Sequence, residues 1–480
     1  MSGAHTIGRW IRDRARTTPG RIAIDYPGRT MTYAELDDAS ERLAASFLGR
    51  GLERGDRVAT LTGNSPDHVA VFFACAKAGL IFAPLSWRLA APELAYQLED
   101  SDPALFLVED ERVGLAEATG HRFEELALHG KGDALSATVE DDDPLLLVYT
   151  SGTTGRPKGA LLTQANCFWT NLSFDLATGV SGDDVVLQVL PQFHCGGWNV
   201  QALLAWWKGA AVVLERSFDA TRCLALIQEK RVTTMMGVPA NYLFLAQEPG
   251  FEQADLSSLR RAVVGGAPMP EPLLEVWHSR GIDIVQGYGL TEAAPNVLSL
   301  PPEDAVRKAG YAGKPYPHVD VRLSDEGELQ VRGPNVFAGY WRDPEASAEA
   351  FDDGWLRTGD VAERDEEGFY RIKGRLKDMY ISGGENVYPA EVESVLHEHP
   401  SVSDAAVVGI PDQRWGEVGV AFVVSDGGLG EEELLEFVRS RLAHFKAPKA
   451  VRFVEVLPRS GIGKVAKEEL RASMTEEIAR

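Results

Sequence analysis

Tyr149-Thr150-Ser151-Gly152-Thr153-Thr154-Gly155-Arg156-Pro157-Lys158-Gly159 follows an apolar run, Asp143-Pro144-Leu145-Leu146-Leu147-Val148, that reads as a buried strand. The stretch holds three glycines, four hydroxyls besides Tyr149, and two cations. Glycine lets a backbone fold tightly and bring its N–H groups close to a ligand. Hydroxyls and N–H groups donate to anionic oxygens, and Arg156 and Lys158 add charge. A solvated surface turn needs no such density of donors directly after a core strand, so the stretch reads as a phosphate-binding loop. It is not a Walker A loop, because Lys158 stands between Pro157 and Gly159 rather than before Ser or Thr.

Upstream of the loop, strand and helix patterns alternate. Residues 5–25 read as a helix and a turn at Thr18-Pro19-Gly20, and Ile22 to Tyr26 and Thr30 to Tyr33 as a hairpin about Pro27-Gly28. Residues 32–51 carry Leu36, Ala39, Leu43, Ala44, Phe47 and Leu48 at helical spacing. A strand at 57–61, a helix at 65–79 and a strand at 81–85 follow. The alternation runs to about residue 300 and predicts parallel sheets wound by crossover helices. Beyond it, short alternating strands at 318–323, 327–331 and 368–372 predict a small antiparallel sheet or barrel. Residues 373–386, crowded with Lys, Arg, Asp and Gly, read as a linker or hinge. The remainder predicts an α+β unit: helix 390–399, strands 402–408 and 418–424, helix 431–442 and strand 451–456.

At 480 residues the chain is too long for one hydrophobic core, so at least two domains are expected. The net charge of -23 argues against a general binder of nucleic acid or anionic membrane. Anionic ligands would have to be held by local clusters against the global field. Cys75, Cys167, Cys195 and Cys223 form no CxxC pair, so neither a zinc site nor a disulfide framework is expected, and a reducing cytoplasm fits. No signal-peptide core and no run of membrane-spanning length is seen.

Further stretches combine unusual residue types. Pro191-Gln192-Phe193-His194-Cys195-Gly196-Gly197-Trp198 sets a histidine among apolar residues, which by itself fits a core or turn histidine as well as a site. Val264-Gly265-Gly266-Ala267-Pro268 lets a flat ligand approach the backbone, or makes a plain strand-to-helix turn. Gln286-Gly287-Tyr288-Gly289-Leu290-Thr291-Glu292 offers an aromatic face between glycines, then a hydroxyl and a carboxylate suited to phosphate and Mg²⁺. In Trp355-Leu356-Arg357-Thr358-Gly359-Asp360, an Asp after a strand can accept from both hydroxyls of a ribose or simply close a turn. Pro458-Arg459-Ser460-Gly461-Ile462-Gly463-Lys464-Val465 places Lys464 on a glycine-rich loop, where a surface lysine is the simpler reading. Arg375, Lys377 and Asp378 equally suit a solvated hinge.

Together, and in this order, these stretches resemble the adenylate-forming superfamily of acyl-CoA synthetases, luciferases and peptide-synthetase adenylation domains, over nearly the whole chain. Tyr380-Ile381-Ser382-Gly383-Gly384-Glu385-Asn386-Val387-Tyr388-Pro389 is similar to the segment after the hinge in acyl-CoA synthetases, and the nearest likeness is to fatty-acyl-CoA ligases. The resemblance implies an α/β fold. A large N-terminal domain, residues 1–376, would hold two parallel-type sheets and a small β-barrel-like subdomain. A hinge at Lys377 and a mobile α+β domain, residues 377–480, would follow.

The implied reaction has two steps. A carboxylate attacks the α-phosphorus of ATP, releasing pyrophosphate; a thiol, normally that of coenzyme A, then displaces AMP. By likeness, Thr150, Ser151, Gly152, Thr153, Thr154 and Lys158 cradle the phosphates. Gln286 and Gly287 lead into Tyr288, which stacks on adenine beside Gly266 and Ala267. Thr291 meets the α-phosphate, Glu292 holds Mg²⁺, and Asp360 takes the ribose, assisted by Arg375. Lys464 matches the catalytic lysine and His194 the histidine of the acyl pocket. Gly383, Gly384 and Trp415 would lie near the thiol tunnel. One departure is Ile462-Gly463-Lys464, where the family usually has Thr-Gly-Lys.

The expected acyl pocket comprises Phe193, Gly197, Trp198, Val238, Gly265, Gly289 and Ala293. No lysine or arginine is evident there to pair a second carboxylate, which disfavours diacids. A medium- or long-chain fatty acid is the first expectation. A benzoate- or cinnamate-like aryl acid is the second, with Trp198 closing the pocket. An enzyme that passes its adenylate to a carrier-protein thiol or a nitrogen nucleophile is the rival chemistry. A dead, nucleotide-binding regulator is disfavoured by Lys158, Glu292, Asp360 and Lys464. The expected partners are the acid, ATP and CoA, with a homodimer as the candidate assembly and neither nucleic acid nor a membrane segment.

Overall fold

The computed structural model describes residues 3–126, 137–150, 156–382, 385–412, 414–425, 427–459 and 465–478. Ser151, Gly152, Thr153, Thr154, Gly383, Gly384 and Lys464 lie outside the described residues.

The helix Pro66–Ala78 shows how the body is built. Ser65 caps it, accepting from the His68 N–H at 3.1 Å; Pro66 occupies the first turn, and Gly79 at φ 71° ends it. Every residue in it except Asp67 is buried. A helix apolar on all sides has no solvent face, so it has to sit between other layers. Its Phe72 and Phe73 join one apolar core with Val58 and Phe82 from one sheet and Ile24, Val186 and Val212 from another.

Among the described residues, the first of these sheets has six strands, in the order 124–125, 105–108, 57–61, 81–84, 144–150 and 158–163. The second has nine: 314–315, 298–299, 284–288, 261–264, 234–237, 185–188, 211–214, 22–26 and 29–32. The central pairings are parallel, as the strand–helix alternation predicts. The N-terminal hairpin pairs Ile22–Tyr26 with Ala211–Leu214. The chain therefore begins in the second sheet before it builds the first. The helix Tyr33–Gly49 starts at a capping box, Thr32 accepting from the Glu35 N–H and the Glu35 carboxylate accepting from the Thr32 N–H.

A parallel reading fails at one important place. Pro144–Thr150 pairs antiparallel with Lys158–Thr163, Thr150 opposite Lys158 and Tyr149 opposite Gly159. The phosphate-loop stretch therefore joins two arms of a hairpin rather than a strand to a helix.

A third sheet is antiparallel: 320–323, 328–332, 355–364 and 351–352, with 370–375 also paired to 355–364. Asp360 was expected after a strand but lies inside Trp355–Arg364. Gln330 pairs with Arg357 and Glu328 with Val361, so Thr358, Gly359 and Asp360 bulge opposite Leu329, with Gly359 at φ 70°.

The hinge reading of 373–386 is also corrected. Tyr370–Arg375 is a strand of the third sheet, and Tyr380–Ser382 and Glu385–Val387 form a hairpin in a fourth. The irregular part reduces to the 3₁₀ turn Leu376–Asp378 and Met379. Charge density resembles a linker because Tyr370–Arg375 and Glu385–Val387 are edge strands whose polar side chains face solvent, while Tyr380–Ser382 between its two partners is only three residues long. The fourth sheet pairs Val402–Asp412 with Gly416–Ser425, and Ala450–Phe453 runs parallel to the latter. Helices Pro389–His397 and Glu431–Arg439 pack with it in a core of their own around Val392, Leu396, Leu434 and Val438.

Candidate functional site

The residues singled out by sequence gather at the carboxyl ends of parallel strands, where open α/β sheets bind ligands. Thr150 ends Pro144–Thr150, Val238 follows Thr234–Gly237, Gly265 follows Arg261–Val264, and Tyr288 ends Ile284–Tyr288.

Tyr288 and Asp360 come from different sheets and meet. The Tyr288 hydroxyl donates to Asp360 Oδ2 at 2.6 Å, and Arg375 Nε lies 3.2 Å from Asp360 Oδ1. The bulge aims the carboxylate: Thr358 Oγ accepts from the Asp360 N–H at 3.1 Å and donates to the Leu329 carbonyl at 2.6 Å. The Gly359 N–H donates to Glu328 Oε1 at 2.9 Å. Burial, with the Asp360 charge adding to it, pushes the Tyr288 hydroxyl far above its ordinary pKa, so it stays a donor. Beside this pair Gly266, at φ 82°, and Ala267 are exposed. That leaves an accessible stretch of backbone next to a tyrosine ring and an anchored carboxylate, which suits a nucleoside. Gln286 Nε2 is buried and has no hydrogen-bond partner among the described residues.

A second carboxylate follows on the same segment. Glu292 Oε1 accepts from the Tyr340 hydroxyl at 2.9 Å and from Thr150 Oγ at 3.4 Å. Its carbonyl accepts from the Phe337 N–H at 2.9 Å. The turn is locked from behind by buried Asn335, whose amide donates to the carbonyls of Ala293 and Asn296 at 2.8 and 3.0 Å. Lys158 Nζ lies 5.4 Å from the centre of the Tyr340 ring. Among the described residues no three His, Cys, Asp or Glu side chains converge, so a cage of protein ligands is not built there. One carboxylate with hydroxyls nearby is an all-oxygen set. It fits Mg²⁺, which takes one or two carboxylates and completes its shell with phosphate and water.

His194 lies half-buried beside Phe193, ring centres 4.6 Å apart, in a turn closed by the His194 N–H to the Pro191 carbonyl at 3.1 Å. Trp198 does not close a pocket. Its ring is 0% exposed and stacked on Phe72 at 4.4 Å, with its indole N–H donating to the Gln192 carbonyl at 2.6 Å. The short helix Gly196–Asn199 turns it inward, to fill the core between the sheets. Gly197 and Ala293 are likewise buried. A Cβ on Gly197 would lie 2.3 Å from the Pro191 carbonyl oxygen, and one on Gly289 1.4 Å from that of Pro295, so both positions exclude a side chain by backbone contact. A Cβ on Gly265 would lie 2.9 Å from Met236 Cε, so a flexible thioether fills the space over Gly265.

Sequence reasoning missed Tyr340, Met236, Thr358 and Asn335. For Tyr340 a signal existed: Gly339-Tyr340-Trp341 puts two aromatics after a glycine, directly before the charged run Arg342-Asp343. It also missed Arg88, whose guanidinium sits over Phe193, 5.5 Å from the ring centre. In the C-terminal part Trp415 is exposed, with Arg414 over its ring at 4.9 Å and both N–H groups held by Asp412 Oδ1. Thr291 opens the 3₁₀ turn Thr291–Ala293, half-buried, and Lys377 is exposed in its own turn.

Residues 11–341 match the family model of AMP-binding enzymes, and residues 391–464 that of the AMP-binding enzyme C-terminal domain. A feruloyl-CoA synthase of Amycolatopsis sp. is 43% identical, covering 97% of this chain and 98% of its own. An indoleacetate–CoA ligase of Aromatoleum aromaticum is 42% identical over 97% of each. A long-chain-fatty-acid–CoA ligase of Mycobacterium tuberculosis is 38% identical over 99% of each. Among solved structures, o-succinylbenzoate coenzyme A synthetase from Bacillus subtilis, in complex with ATP and magnesium ion, superposes with a TM-score of 0.89 at 33% identity, covering 96% of this chain and 98% of its own. Two anchored carboxylates, one in a strand bulge and one in a 3₁₀ turn, and a family match across both parts of the chain, lead to one assignment: the protein belongs to the adenylate-forming superfamily, as an AMP-forming acid–thiol ligase of the acyl-CoA synthetase family.

Proposed function

We propose that this ligase activates an aryl or arylalkanoic acid with ATP and transfers the acyl group to coenzyme A, in the cytoplasm where these substrates meet. The observation that carries the chemistry is the pair of pre-anchored carboxylates. Asp360, held by Tyr288 and Arg375, takes the ribose; Glu292, held by Tyr340 and Thr150, faces the phosphates. A magnesium ion would be held there by Glu292 and would supply charge neutralisation between an anionic acid and a polyanion. Lys158 does the same from the protein side. His194 borders the acid, and Lys464, by its place in the family motif, approaches the reacting phosphorus in the first step. Ser151, Gly152, Thr153 and Thr154 belong to the same phosphate cradle, and Gly383, Gly384 and exposed Trp415 to the path of the thiol. The same reading divides the chain at 376/377, because the third sheet ends at Arg375 and the fourth begins at Tyr380.

The relatives shift the acid from the fatty chain first expected toward an aromatic one: those at 43% and 42% identity are named for ferulate and indoleacetate, against 38% for the long-chain ligase. Met236 supports an adaptable apolar pocket, since a thioether can swing off Gly265 to admit a ring. The fatty-acid reading keeps the long-chain relative on its side. A screen of pyrophosphate release over cinnamates, arylacetates, benzoates and C6–C16 fatty acids, each with and without CoA, decides between them. Aryl acids should lead by kcat/KM, and AMP release should require CoA. Preference for fatty acids overturns the acid class, and CoA-independent turnover overturns the acceptor.

A further inference from the structure

Tyr340 touches both charges of the phosphate end of the site, one through its hydroxyl and one through its ring. Its backbone is stitched to the strand that follows the phosphate loop. Tyr340 bridges to Ala160, the Trp341 N–H donates to the Gly159 carbonyl at 2.7 Å, and the Tyr340 N–H donates to Ser347 Oγ at 2.8 Å. The Phe337 ring stands edge-on to it, centres 4.9 Å apart. From this fixed position the hydroxyl reaches Glu292 Oε1 at 2.9 Å, and Lys158 Nζ sits 5.4 Å above the ring.

We propose that Tyr340 is a positioning residue that holds the Glu292 carboxylate open toward Mg²⁺ and keeps the Lys158 ammonium apart from it. The inference rests on Glu292 and Lys158 serving the phosphates. A carboxylate and an ammonium this close to one residue would gain by pairing, and a closed pair would offer neither charge to the substrate. Among the described residues no Lys158–Glu292 ion pair forms within 4 Å; instead, the carboxylate takes the Tyr340 hydroxyl, with Thr150 Oγ as a second donor, and the ammonium lies over the Tyr340 ring. The hydroxyl occupies one side of Oε1 and fixes the rotation of the carboxylate, which leaves Oε2 for a cation. The ring face attracts the ammonium without neutralising it.

The test uses the full chain as Tyr340→Phe, which keeps the ring and loses the hydroxyl, and as Tyr340→Leu, which loses both. Two quantities are read. One is the Mg²⁺ concentration giving half of the rise in thermal midpoint caused by ATP; the other is the Mg²⁺ concentration giving half-maximal acid-dependent pyrophosphate exchange. Tyr340→Phe should move both upward by roughly tenfold while leaving the ligand-free thermal midpoint nearly unchanged. Tyr340→Leu should add a rise in the KM for pyrophosphate, because Lys158 loses its platform. Mg²⁺ midpoints that stay at the wild-type value in both variants, whatever happens to kcat or to thermal stability, overturn the proposal. Wild-type protein without acid-dependent exchange would count against the ligase reading instead, and the thermal readout with ATP and Mg²⁺ would still decide the role of Tyr340.

Discussion

Asp360 is the residue on which two sheets agree, and its environment predicts what its charge does. Both oxygens are engaged, by Tyr288 at 2.6 Å and Arg375 at 3.2 Å. Asp360→Asn keeps the shape and removes the charge, so ATP should bind about 10- to 100-fold more weakly, as expected for losing charge-assisted hydrogen bonds. Calorimetric titration with ATP checks this; unchanged affinity would remove Asp360 from the nucleotide site. A different residue governs acid stability. His68 is buried between Phe82 and Trp198, with Nε2 3.0 Å from Thr60 Oγ, and burial pushes its pKa down to about 4. The unfolded chain, with an ordinary histidine near 6.5, binds the extra proton between these values. Stability is therefore fully present above about pH 6.5 and falls toward pH 4, by on the order of 3 kcal/mol. His397 acts with the opposite sign. Burial works against its charge, but Asp404 and the Glu393 carbonyl outweigh burial and raise its pKa, so its contribution is lost as pH rises above the ordinary histidine value. His68→Gln should flatten the decline of thermal midpoint between pH 6.5 and 4; an unaltered slope would exclude His68 as its source.

The bulge in Trp355–Arg364 is the element that converts sequence into site. A regular strand would alternate Thr358, Gly359 and Asp360 across the sheet, and the carboxylate would not meet Tyr288. Gly359 makes the bulge possible at φ 70°, and no atom lies within 4 Å of where its Cβ would be. Gly359→Ala therefore costs backbone strain without a clash, about 1–2 kcal/mol of stability. By loosening the bulge it should also weaken ATP while sparing the fold. Denaturant unfolding and ATP titration on the same sample check the two effects, and lost stability with unchanged ATP affinity would show that the bulge does not aim Asp360. The element scale is also where pattern reading is strongest and weakest. The helix Pro66–Ala78 was legible because Ser65, Pro66 and Gly79 mark its ends and apolar residues fill it. The bulge was not, because a single glycine within a ten-residue strand gives no sign of which residues it will leave unpaired. Nor was the hairpin around the phosphate loop legible, since Lys158–Thr163 reads as an apolar run with no orientation of its own.

At the scale of the whole molecule, the short connection at 376–379 joins the last strand of the third sheet to the first strand of the fourth, among the described residues. The fourth sheet has a core of its own, and under the proposed function these four residues would serve as the pivot of a closure motion, of the kind that commonly gates turnover. Lys377→Pro pushes Leu376, the residue before it, away from the helical conformation of the 3₁₀ turn, so it should bias the setting of the pivot. The expected result is pyrophosphate exchange near the wild-type rate and thioester formation from supplied acyl-adenylate slowed about tenfold or more. Equal loss of both half-reactions would place Lys377 outside the pivot.

The sequence by itself determined the family and the order of the motifs, and it singled out Tyr288, Glu292, Asp360 and Lys158 as candidates, because each of these depends on residue type and local spacing, which a linear chain carries in full. It also carried the α/β alternation, through the periods of its apolar residues. Only the tertiary structure decided what holds those residues. Tyr340 reaches Glu292 across 48 positions of chain and Tyr288 reaches Asp360 across 72. Trp198, which the family resemblance offers as a pocket wall, is drawn instead into the space between two sheets, because a large ring gains more from full burial against Phe72 than from a half-exposed place at a site. Such choices are made between segments far apart in sequence, by the volume each leaves for the other, and no local pattern records them.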